Sequence, residues 1–389
     1  MVTAWEKVSF YDVCEIKAPM VNPSEYPHLP HIGNENIEKQ TGKLLPYNLA
    51  QDDHLISGKY LFSASDVLYA KIRPHFAKVA FPQFAGLCSA DIYPLTCNHR
   101  ILPAFFKYVL LTKEFTDFAV TLSMRSSGMP KVNRSELAQF EFFLPPLHEQ
   151  ERIASGLQDT DYQIDLLERI IAKKKAIKQG AMQELLTGKK RLPGFSGEWQ
   201  YMELGKHGTL IRESINTQLF PCDYFWEYSM PAFDNGKTPV KQIGSDMHSN
   251  RTVIYGKVLL FNKLNVRQKR IWMINQCRNR AVCSSEFLPY QSDKINLELL
   301  AQILNTDEVT LQFVGMSTGT SNSQKRITPN DFLEYKVYLP IDEDEQSAIA
   351  EVLVCMGKEI EALEKKLAKY CQVKQGMMQQ LLTGKIRLV

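Results

Sequence analysis

The chain has 389 residues, enough for two or three domains, and its hydrophobic fraction of 44% is ordinary for a globular protein. It has no apolar run of about eighteen residues that could span a membrane and no basic-then-apolar leader typical of export. Its formal net charge of +3 does not indicate nucleic-acid binding, and its eight scattered cysteines lack a Cys-x-x-Cys pair, which favours reduced thiols in the cytoplasm over disulfides or a zinc site.

Residues 1–146 predict a compact α+β domain. Short apolar and β-branched runs separated by Gly, Pro, Asn and Ser are typical of strands and turns, and residues 102–122 predict helical structure. Nothing acidic lies between Asp66 and Asp91, whereas several cations do, and Lys and Arg neutralise nucleic-acid phosphates. The candidate DNA-contacting residues of this segment are Lys71, Arg73, His75, Lys78, Arg125, Ser126 and Lys131.

Residues 147–189 predict one long helix. Apolar residues recur at alternating steps of four and three positions, which is the spacing of a coiled-coil seam. The helix would be roughly 60 Å long, and Gly188 after its end suits a left-handed cap. Its predicted seam residues are Ile153, Leu157, Ile164, Leu167, Ile171 and Leu185.

Residues 190–340 predict a second α+β domain, a diverged repeat of the first, with helical structure over 294–314. No acid lies between Met247 and Ser285, where Lys and Arg alternate with Asn and Gln that can read base edges. A polar loop ending in two cations follows at 316–326. A solvated strand face is the alternative interpretation, but the recurrence of the pattern in both halves favours DNA contact. The candidates here are Arg251, Lys263, Asn265, Arg267, Lys269, Arg270, Arg278, Arg280, Ser321, Asn322, Lys325 and Arg326.

Residues 341–389 repeat the long helix. Gln346 follows Gln150 by 196 residues, and the same offset holds without a gap over about forty residues, which indicates a two-fold duplication. A single helix cannot bury its apolar stripe, so the two copies are expected to pair as an antiparallel coiled coil. Lys178 and Lys374 fall on the seam, where a lysine can fix register, and Gly384 suits the second cap. The second set of seam residues is Ile349, Leu353, Ile360, Leu363, Leu367 and Leu381.

The sequence contains no recognisable catalytic motif. It lacks a P-loop, a glycine-rich cofactor loop and the Asn/Asp-Pro-Pro-Tyr/Phe motif of amino-group methylation. Asp331, Glu334 and Lys336 resemble a fragment of a nuclease signature, but they are too close together for its strand hairpin. His28 and His31 lack a nearby Cys or carboxylate. We therefore expect no catalytic residue, metal site or cofactor site.

Two unlike basic domains alternating with two near-identical helices resemble the specificity subunit of type I restriction–modification enzymes. The resemblance covers essentially the whole chain. Its most specific elements are Leu-Pro-Pro-Leu-His-Glu-Gln-Glu-Arg-Ile-Ala at 144–154, its partner at 339–350, and Leu-Leu-Thr-Gly-Lys at 185–189 and 381–385. Shorter family-like pieces lie at 32–37, 229–234 and 262–265. The second helix opens Ile-Asp-Glu-Asp-Glu-Gln at 341–346, departing from the Pro-Leu-x-Glu-Gln form of the first.

The resemblance implies target recognition domains at 1–146 and 190–340, each reading one half of a split, asymmetric double-stranded DNA target. The helices at 147–189 and 341–389 would hold them apart and set the spacer. Two modification subunits would carry S-adenosylmethionine and the adenine N6-methyltransferase site, and restriction subunits would supply ATP- and Mg²⁺-dependent cleavage. This chain would then be non-catalytic, and the target adenine would be flipped into the partner's pocket.

Two alternatives remain open at this point. One is a non-catalytic coiled-coil scaffold or adaptor with two ligand-binding domains, against which the acid-free basic stretches argue. The other is an autonomous nuclease or methyltransferase, against which the missing motifs argue.

Overall fold

The computed structural model describes residues 5–17, 19–124, 129–319 and 324–388. The chain divides into two compact units: a first unit of Met1–Arg169 with Lys365–Val389, and a second unit of Ile170–Glu364. Each unit combines one globular segment with part of each long helix. The two long helices, which the sequence predicts as segments of their own, are therefore each divided between the two units. Within the described ranges, no helix has both the length and the apolar character to cross a bilayer.

Among its described residues, the globular part of the first unit has eleven strands and three short α-helices. The strands are β1 (Glu6–Ser9), β2 (Cys14–Ile16), β3 (Met20–Val21), β4 (Pro30–Ile32), β5 (Asn48–Leu49), β6 (Lys59–Phe62), β7 (Asp66–Ala70), β8 (Val79–Ala80), β9 (Gly86–Cys88), β10 (Ile92–Cys97) and β11 (Glu141–Leu144). The helices are α1 (Pro103–Leu110), α2 (Lys113–Ser123) and α3 (Arg134–Leu137), and the long helix α4 (Leu147–Leu185) follows.

The second unit has a corresponding set of elements. Its strands are β12 (Trp199–Glu203), β13 (Thr209–Leu210), β14 (Ser214–Ile215), β15 (Tyr224–Tyr228), β16 (Val240–Ile243), β17 (Arg251–Val253), β18 (Val258–Asn262), β19 (Ile271–Ile274), β20 (Ala281–Ser284), β21 (Phe287–Gln291) and β22 (Lys336–Pro340). Its helices are α5 (Leu204–His207), α6 (Met230–Asp234), α7 (Leu297–Leu304), α8 (Asp307–Met316) and α9 (Pro329–Glu334), and the long helix α10 (Glu343–Leu381) follows.

The two units share one strand order. The first has sheets β1-β11, β2-β10-β7-β8 and β3-β6-β9-β4-β5, and the second has β12-β22, β13-β21-β18-β19 and β14-β17-β20-β15-β16. Each five-stranded sheet contains one parallel pair, β4 with β9 and β15 with β20. The internal repeat predicted from the helices thus extends to the α+β domains, which the sequence suggested only weakly.

The helical stretches predicted at 102–122 and 294–314 are each two helices. The Thr112 hydroxyl accepts a hydrogen bond from the Phe115 N–H at the start of α2. The Thr306 hydroxyl accepts one from the Val309 N–H at the start of α8. A threonine N-cap ends one helix and begins the next, a break that apolar periodicity does not reveal.

The long helices pair in an antiparallel manner, as the sequence predicts. Ile153 and Leu157, early in α4, share a core with Leu381 at the end of α10. Leu185, at the end of α4, shares the second unit's core with Leu353 early in α10. Gly188 and Gly384 have φ values of +68° and +71°, the left-handed caps expected after each helix.

The predicted seam residues differ in burial along the helices. Three of them, Ile164, Leu363 and Leu367, are partly exposed. The others are buried, namely Ile153, Leu157, Leu167, Ile171, Leu185, Ile349, Leu353, Ile360 and Leu381. The stripe is therefore most fully covered where a globular domain also packs on the helices.

Candidate nucleic-acid interface

Several candidate DNA-contacting residues of the first unit lie on the loop at 71–78, between β7 and β8. Its centre is a single 3-10 turn, Pro74–Phe76, flanked by Arg73 and Ala77 at φ values of 49° and 43°. The left-handed region is disfavoured for non-glycine residues, so neighbouring contacts must hold this shape. Arg73 and His75 are both exposed on this constrained backbone.

The second unit repeats this loop at 263–270, between β18 and β19. Its 3-10 turn is Val266–Gln268, and the flanking Asn265 and Lys269 have φ values of 50° and 48°. The duplicated fold therefore builds the same backbone from different side chains. Arg267 is exposed at the position that His75 occupies in the first loop.

A second segment is hydrogen-bonded to each loop. In the first unit, the Arg73 N–H donates to the Pro130 carbonyl (2.8 Å) and the Val132 N–H donates to the Lys71 carbonyl (2.9 Å). In the second unit, the Asn265 N–H donates to the Lys325 carbonyl (2.8 Å) and the Ile327 N–H donates to the Lys263 carbonyl (3.1 Å). We call 71–78 with 129–132 the first loop surface, and 263–270 with 324–327 the second loop surface. Each brings together candidates that are far apart in sequence, including Lys131 in the first and Lys325 in the second.

Four predicted contact residues, Arg125, Ser126, Ser321 and Asn322, lie outside the described residues. They precede the second segment of each loop surface in the sequence, so their placement stays a prediction.

Six of the predicted cations form ion pairs with carboxylates from elsewhere in the same unit. These pairs are Lys71–Asp91 (4.0 Å), Arg251–Glu227 (2.6 Å), Lys269–Asp307 (2.5 Å), Arg270–Asp234 (2.6 Å), Arg280–Asp223 (2.7 Å) and Arg326–Glu286 (3.0 Å). Two hydrogen bonds from Arg270 hold the pKa of Asp234 below its ordinary value, and one from Lys269 does the same for Asp307. The stretch between Met247 and Ser285 contains no acidic residue, but in the fold acidic residues from other segments lie beside its cations.

Two of the candidate cations, Arg251 and Lys78, make contacts that stabilise their own domain. Arg251 on β17 and Glu227 on β15 flank β20, and their side chains are only 14% and 7% exposed, so this pair ties the sheet together. The Lys78 ammonium donates to the Asn34 carbonyl, and burial lowers the pKa of Lys78. Both cations are thereby less available to a phosphate.

Five of the remaining candidate cations have no carboxylate partner among the described residues. In the described part of the chain, Arg73, Lys263, Arg267 and Lys325 form no ion pair. Arg278 is exposed, and its guanidinium stacks 3.8 Å from the centre of the Trp226 ring. Unpaired cations retain their full charge for an incoming phosphate.

Each unit also contains a cluster that was not predicted from the sequence, and we call these two clusters the clasps. In the first unit, Arg387 contacts Glu149 through two nitrogens, both at 2.7 Å, and the Trp5 indole N–H donates to the same carboxylate at 3.0 Å. The Arg387 hydrogen bonds, the largest influence, hold the pKa of Glu149 below its ordinary value. Trp5 also packs on Gly384, where an added Cβ would lie 3.2 Å from the ring.

The second clasp repeats the ion pair and the packing on glycine, but among the described residues its Trp199 indole N–H has no hydrogen-bond acceptor. Arg191 contacts Glu345 at 2.5 and 2.6 Å, its guanidinium lies 5.7 Å from the Trp199 ring, and Trp199 packs on Gly188. The available signal was the 196-residue offset, which also relates Arg191 to Arg387 beyond the ends of the helices.

A buried glutamine anchors each long helix to its domain. Gln150 is fully buried and donates to the carbonyls of Arg100 and Pro145 at 2.9 and 2.8 Å, and it accepts from the Leu102 N–H. Gln346 makes the matching set with Lys294, Pro340 and Asn296 in the second unit. The Glu-Gln dipeptide is therefore a structural element: its glutamate enters the clasp and its glutamine fixes the helix start.

Comparison with known proteins agrees with this architecture. A family model described as the type I restriction modification DNA specificity domain matches residues 3–175. The EcoDI type I restriction enzyme specificity subunit of Escherichia coli is 33% identical over 165 residues, covering 42% of this chain and 36% of that subunit, just over a third of its length. The MjaVIII specificity subunit of Methanocaldococcus jannaschii is 23% identical over 341 residues, covering 78% of this chain and 75% of that subunit.

Solved structures share the fold over nearly the whole chain. The S subunit of a type I restriction–modification system from M. genitalium has a TM-score of 0.66 at 11% identity, covering 98% of this chain and 96% of that one. A chain from a structural study of the assembly and conformational transition of the type I system has a TM-score of 0.55 at 18% identity, covering 99% and 100%.

The chain is built by internal duplication on paired helices, and its fold is similar to that of a solved type I restriction–modification S subunit. These comparisons together indicate a type I restriction–modification specificity subunit, with the family model itself matching residues 3–175.

Proposed function

We propose that this chain is the DNA sequence-specificity subunit of a type I restriction–modification complex, in which each α+β domain reads one half of a bipartite, asymmetric target. The observation that carries this proposal is one loop surface recurring at the same place in two units with unlike side chains. Arg73 and His75 in the first unit stand where Asn265 and Arg267 stand in the second. A shared backbone with different side chains suits two readers of different half-sites.

The chemistry of the loop surfaces suits duplex DNA. Three cations, Lys263, Arg267 and Lys325, form no ion pair within the described ranges, which favours phosphate contacts. Asn265 and Arg73 carry the planar groups that make paired hydrogen bonds to adenine and guanine edges in the major groove. Phosphate contacts would position each domain, and these side chains would read the bases.

The paired helices would determine the spacer between the half-sites. Helices α4 and α10 each have 39 residues, which corresponds to about 58 Å at 1.5 Å per residue. A two-helix rod is stiffer than a loop, so its length would set the number of base pairs that are not read. A longer rod should accordingly select a longer spacer.

The reactions would belong to partner subunits. Two modification subunits would dock on the helices and recognition domains, bring S-adenosylmethionine and flip the target adenine into their own pocket. Restriction subunits would add ATP- and Mg²⁺-dependent cleavage. The internal duplication supports two docking positions, one on each unit, because a repeated fold presents related surfaces twice.

Methylation mapping of genomic DNA tests the whole proposal. The chain is co-expressed with a type I modification subunit, and N6-methyladenine should appear at one asymmetric sequence in two parts with a constant gap. A scaffold or adaptor would leave the DNA unmethylated, which would reject the proposal.

Assays of the purified chain alone test its non-catalytic role. Incubation with DNA, Mg²⁺, ATP and S-adenosylmethionine should produce neither cleavage nor methyl transfer. Turnover by this chain would show an autonomous enzyme instead.

A further inference from the structure

The second unit contains an open groove of about 440 Å³ between the long helices and the α+β domain. Its walls are the end of the loop at Lys269, the α7–α8 junction at Asn305–Asp307, and the facing sides of α4 and α10 at Lys178 and Gly357. Met182 and Ile360 add apolar surface at its base.

In the first unit, the chain itself fills the matching space. Residues 38–43 contact the loop, the α1–α2 junction and both long helices. The contacts are the Gln40 N–H to the Ala77 carbonyl (3.3 Å), Gly42 packed on Leu111, Lys43 to Asp165 of α4 (2.5 Å), and the Thr41 carbonyl to Lys374 of α10 (3.2 Å). The internal repeat relates each of these walls to a wall of the groove.

The difference follows from the length of one connection. Fifteen residues, 33–47, join β4 to β5 in the first unit, whereas eleven, 229–239, join the equivalent β15 to β16 in the second. The shorter connection does not supply the segment that covers the helices in the first unit. The groove is thus the place of an internal loop that the second unit lacks.

The two units also differ in charge at this place, because a lysine that has a carboxylate partner in the first unit lacks one in the described part of the second. In the first unit, the Lys374 ammonium pairs with the Asp161 carboxylate at 2.6 Å. The 196-residue offset places Lys178 at the position of Lys374 and Gly357 at the position of Asp161. Lys178 has no ion-pair partner in the part of the chain that the structure describes, and burial, followed by the charge of Lys237, lowers its pKa.

We propose that this groove is a docking site for a segment of a partner polypeptide that places a carboxylate on Lys178. The inference rests on the proposed function for the identity of the partner, a modification subunit. Contact at this groove would make the two units non-equivalent towards their partners, because the first unit already fills the same position with its own chain.

The composition of the walls favours a polypeptide over DNA. Asp307 and Glu364 in the lining already pair with Lys269 and Lys175, so Lys178 is the one lining cation left without a carboxylate among the described residues, which suits a single carboxylate better than a row of phosphates. Asn305 and Gln179 can bond peptide groups, and the apolar base suits a side chain. The first unit provides the precedent, since residues 38–43 occupy the same walls through backbone and side-chain bonds.

Lysine labelling of the full chain tests the site directly. Reductive methylation followed by mass spectrometry measures the reactivity of Lys178 in the chain alone, with duplex DNA, and in complex with the modification subunit. We expect the modification subunit to slow labelling of Lys178 by about tenfold and DNA to leave it unchanged. Lys374, which already has its carboxylate, is the internal reference.

A substitution provides the second readout. Gly357→Asp installs the carboxylate that the first unit carries at Asp161, and the Cβ at this position would lie 3.2 Å from the Lys178 ammonium. We expect it to weaken binding of the modification subunit by about tenfold, as a carboxylate competitor within the chain. Gly376→Asp is the matched control, because it makes the same change on α10 where an added Cβ has open space.

The possible results distinguish failure of the docking site from failure of the proposed function. If the subunit binds but leaves Lys178 equally reactive and Gly357→Asp has no effect, the docking site is wrong and the proposed function stands. Protection of Lys178 by DNA alone would replace the docking site with a phosphate site. If the modification subunit does not bind the chain at all, both proposals fail.

Discussion

Arg387 and Glu149 close the first unit through a two-point ion pair, with both nitrogen–oxygen distances at 2.7 Å. They are 238 residues apart, and the carboxylate is fully buried. The pair joins the residues after α10 to the first turn of α4, so each helix is held at the end where its partner begins. Arg191 and Glu345 make the same connection in the second unit.

Arg387→Gln should destabilise the first unit, because it leaves the buried Glu149 without its charged partner. We expect the midpoint of thermal unfolding to fall by roughly 5 °C in differential scanning calorimetry. Arg169→Gln is the control, since that arginine is exposed and pairs with Asp165 one turn away, and it should shift the midpoint by less than about 1 °C. The double variant Glu149→Gln with Arg387→Gln should recover part of the loss. Equal stability of Arg387→Gln and the wild type would show that the clasp is dispensable.

The clasp should also make stability depend on pH. Arg387 holds the pKa of Glu149 below its ordinary value of 4.5 in the folded chain. A depressed folded pKa means that the stabilisation is fully present above the unfolded value and is lost as the pH falls through the folded one. The difference in unfolding midpoint between the wild type and Arg387→Gln should therefore shrink as the pH falls from about 5 to about 3. A difference that stays constant over this range would contradict the assigned cause.

Arg267→Ala should weaken DNA binding through one half-site only. Arg267 is exposed on the second loop surface and has no ion pair with any residue that the structure describes. Loss of one phosphate contact should lower the slope of log affinity against log salt by about 0.9. Fluorescence anisotropy with duplexes mutated in each half-site measures this, and Arg73→Ala should affect the other half. Lys206→Ala, which removes an exposed cation paired with Glu203, is the control. An effect of Arg267→Ala on both half-sites would argue against separate readers.

The parts of the fold that the sequence predicts are those set by local spacing. The steps of four and three from Ile153 to Leu185 are visible in the sequence because a helix repeats its buried face within a few residues. The strand order could not be predicted, because β-strand pairing brings together distant residues such as Glu6 and Leu144. The clasps were missed for the same reason.

The candidate interface illustrates a second limit. The stretch without acids favoured DNA contact by its cations, yet Asp234 and Asp307, outside that stretch, neutralise Arg270 and Lys269. The charges of one sequence segment predict the net charge of the surface that it forms only where neighbouring elements add no charged side chains to that surface. The pairing of each loop with its second segment was likewise invisible, since the Asn265 and Lys325 bond joins residues sixty positions apart.

Inserting one heptad into the middle of both α4 and α10 should lengthen the DNA spacer and leave the half-sites unchanged. Seven helical residues add about 10 Å, which corresponds to about three base pairs at 3.4 Å each. A whole heptad returns the apolar seam to the same face, so the two helices can remain paired. Methylation mapping with the modification subunit would report the new gap. Insertion into α4 alone is the control, because it puts the two seams out of register and should abolish methylation. A changed half-site with an unchanged gap would mean that the loop surfaces, and not the rod, determine the spacing.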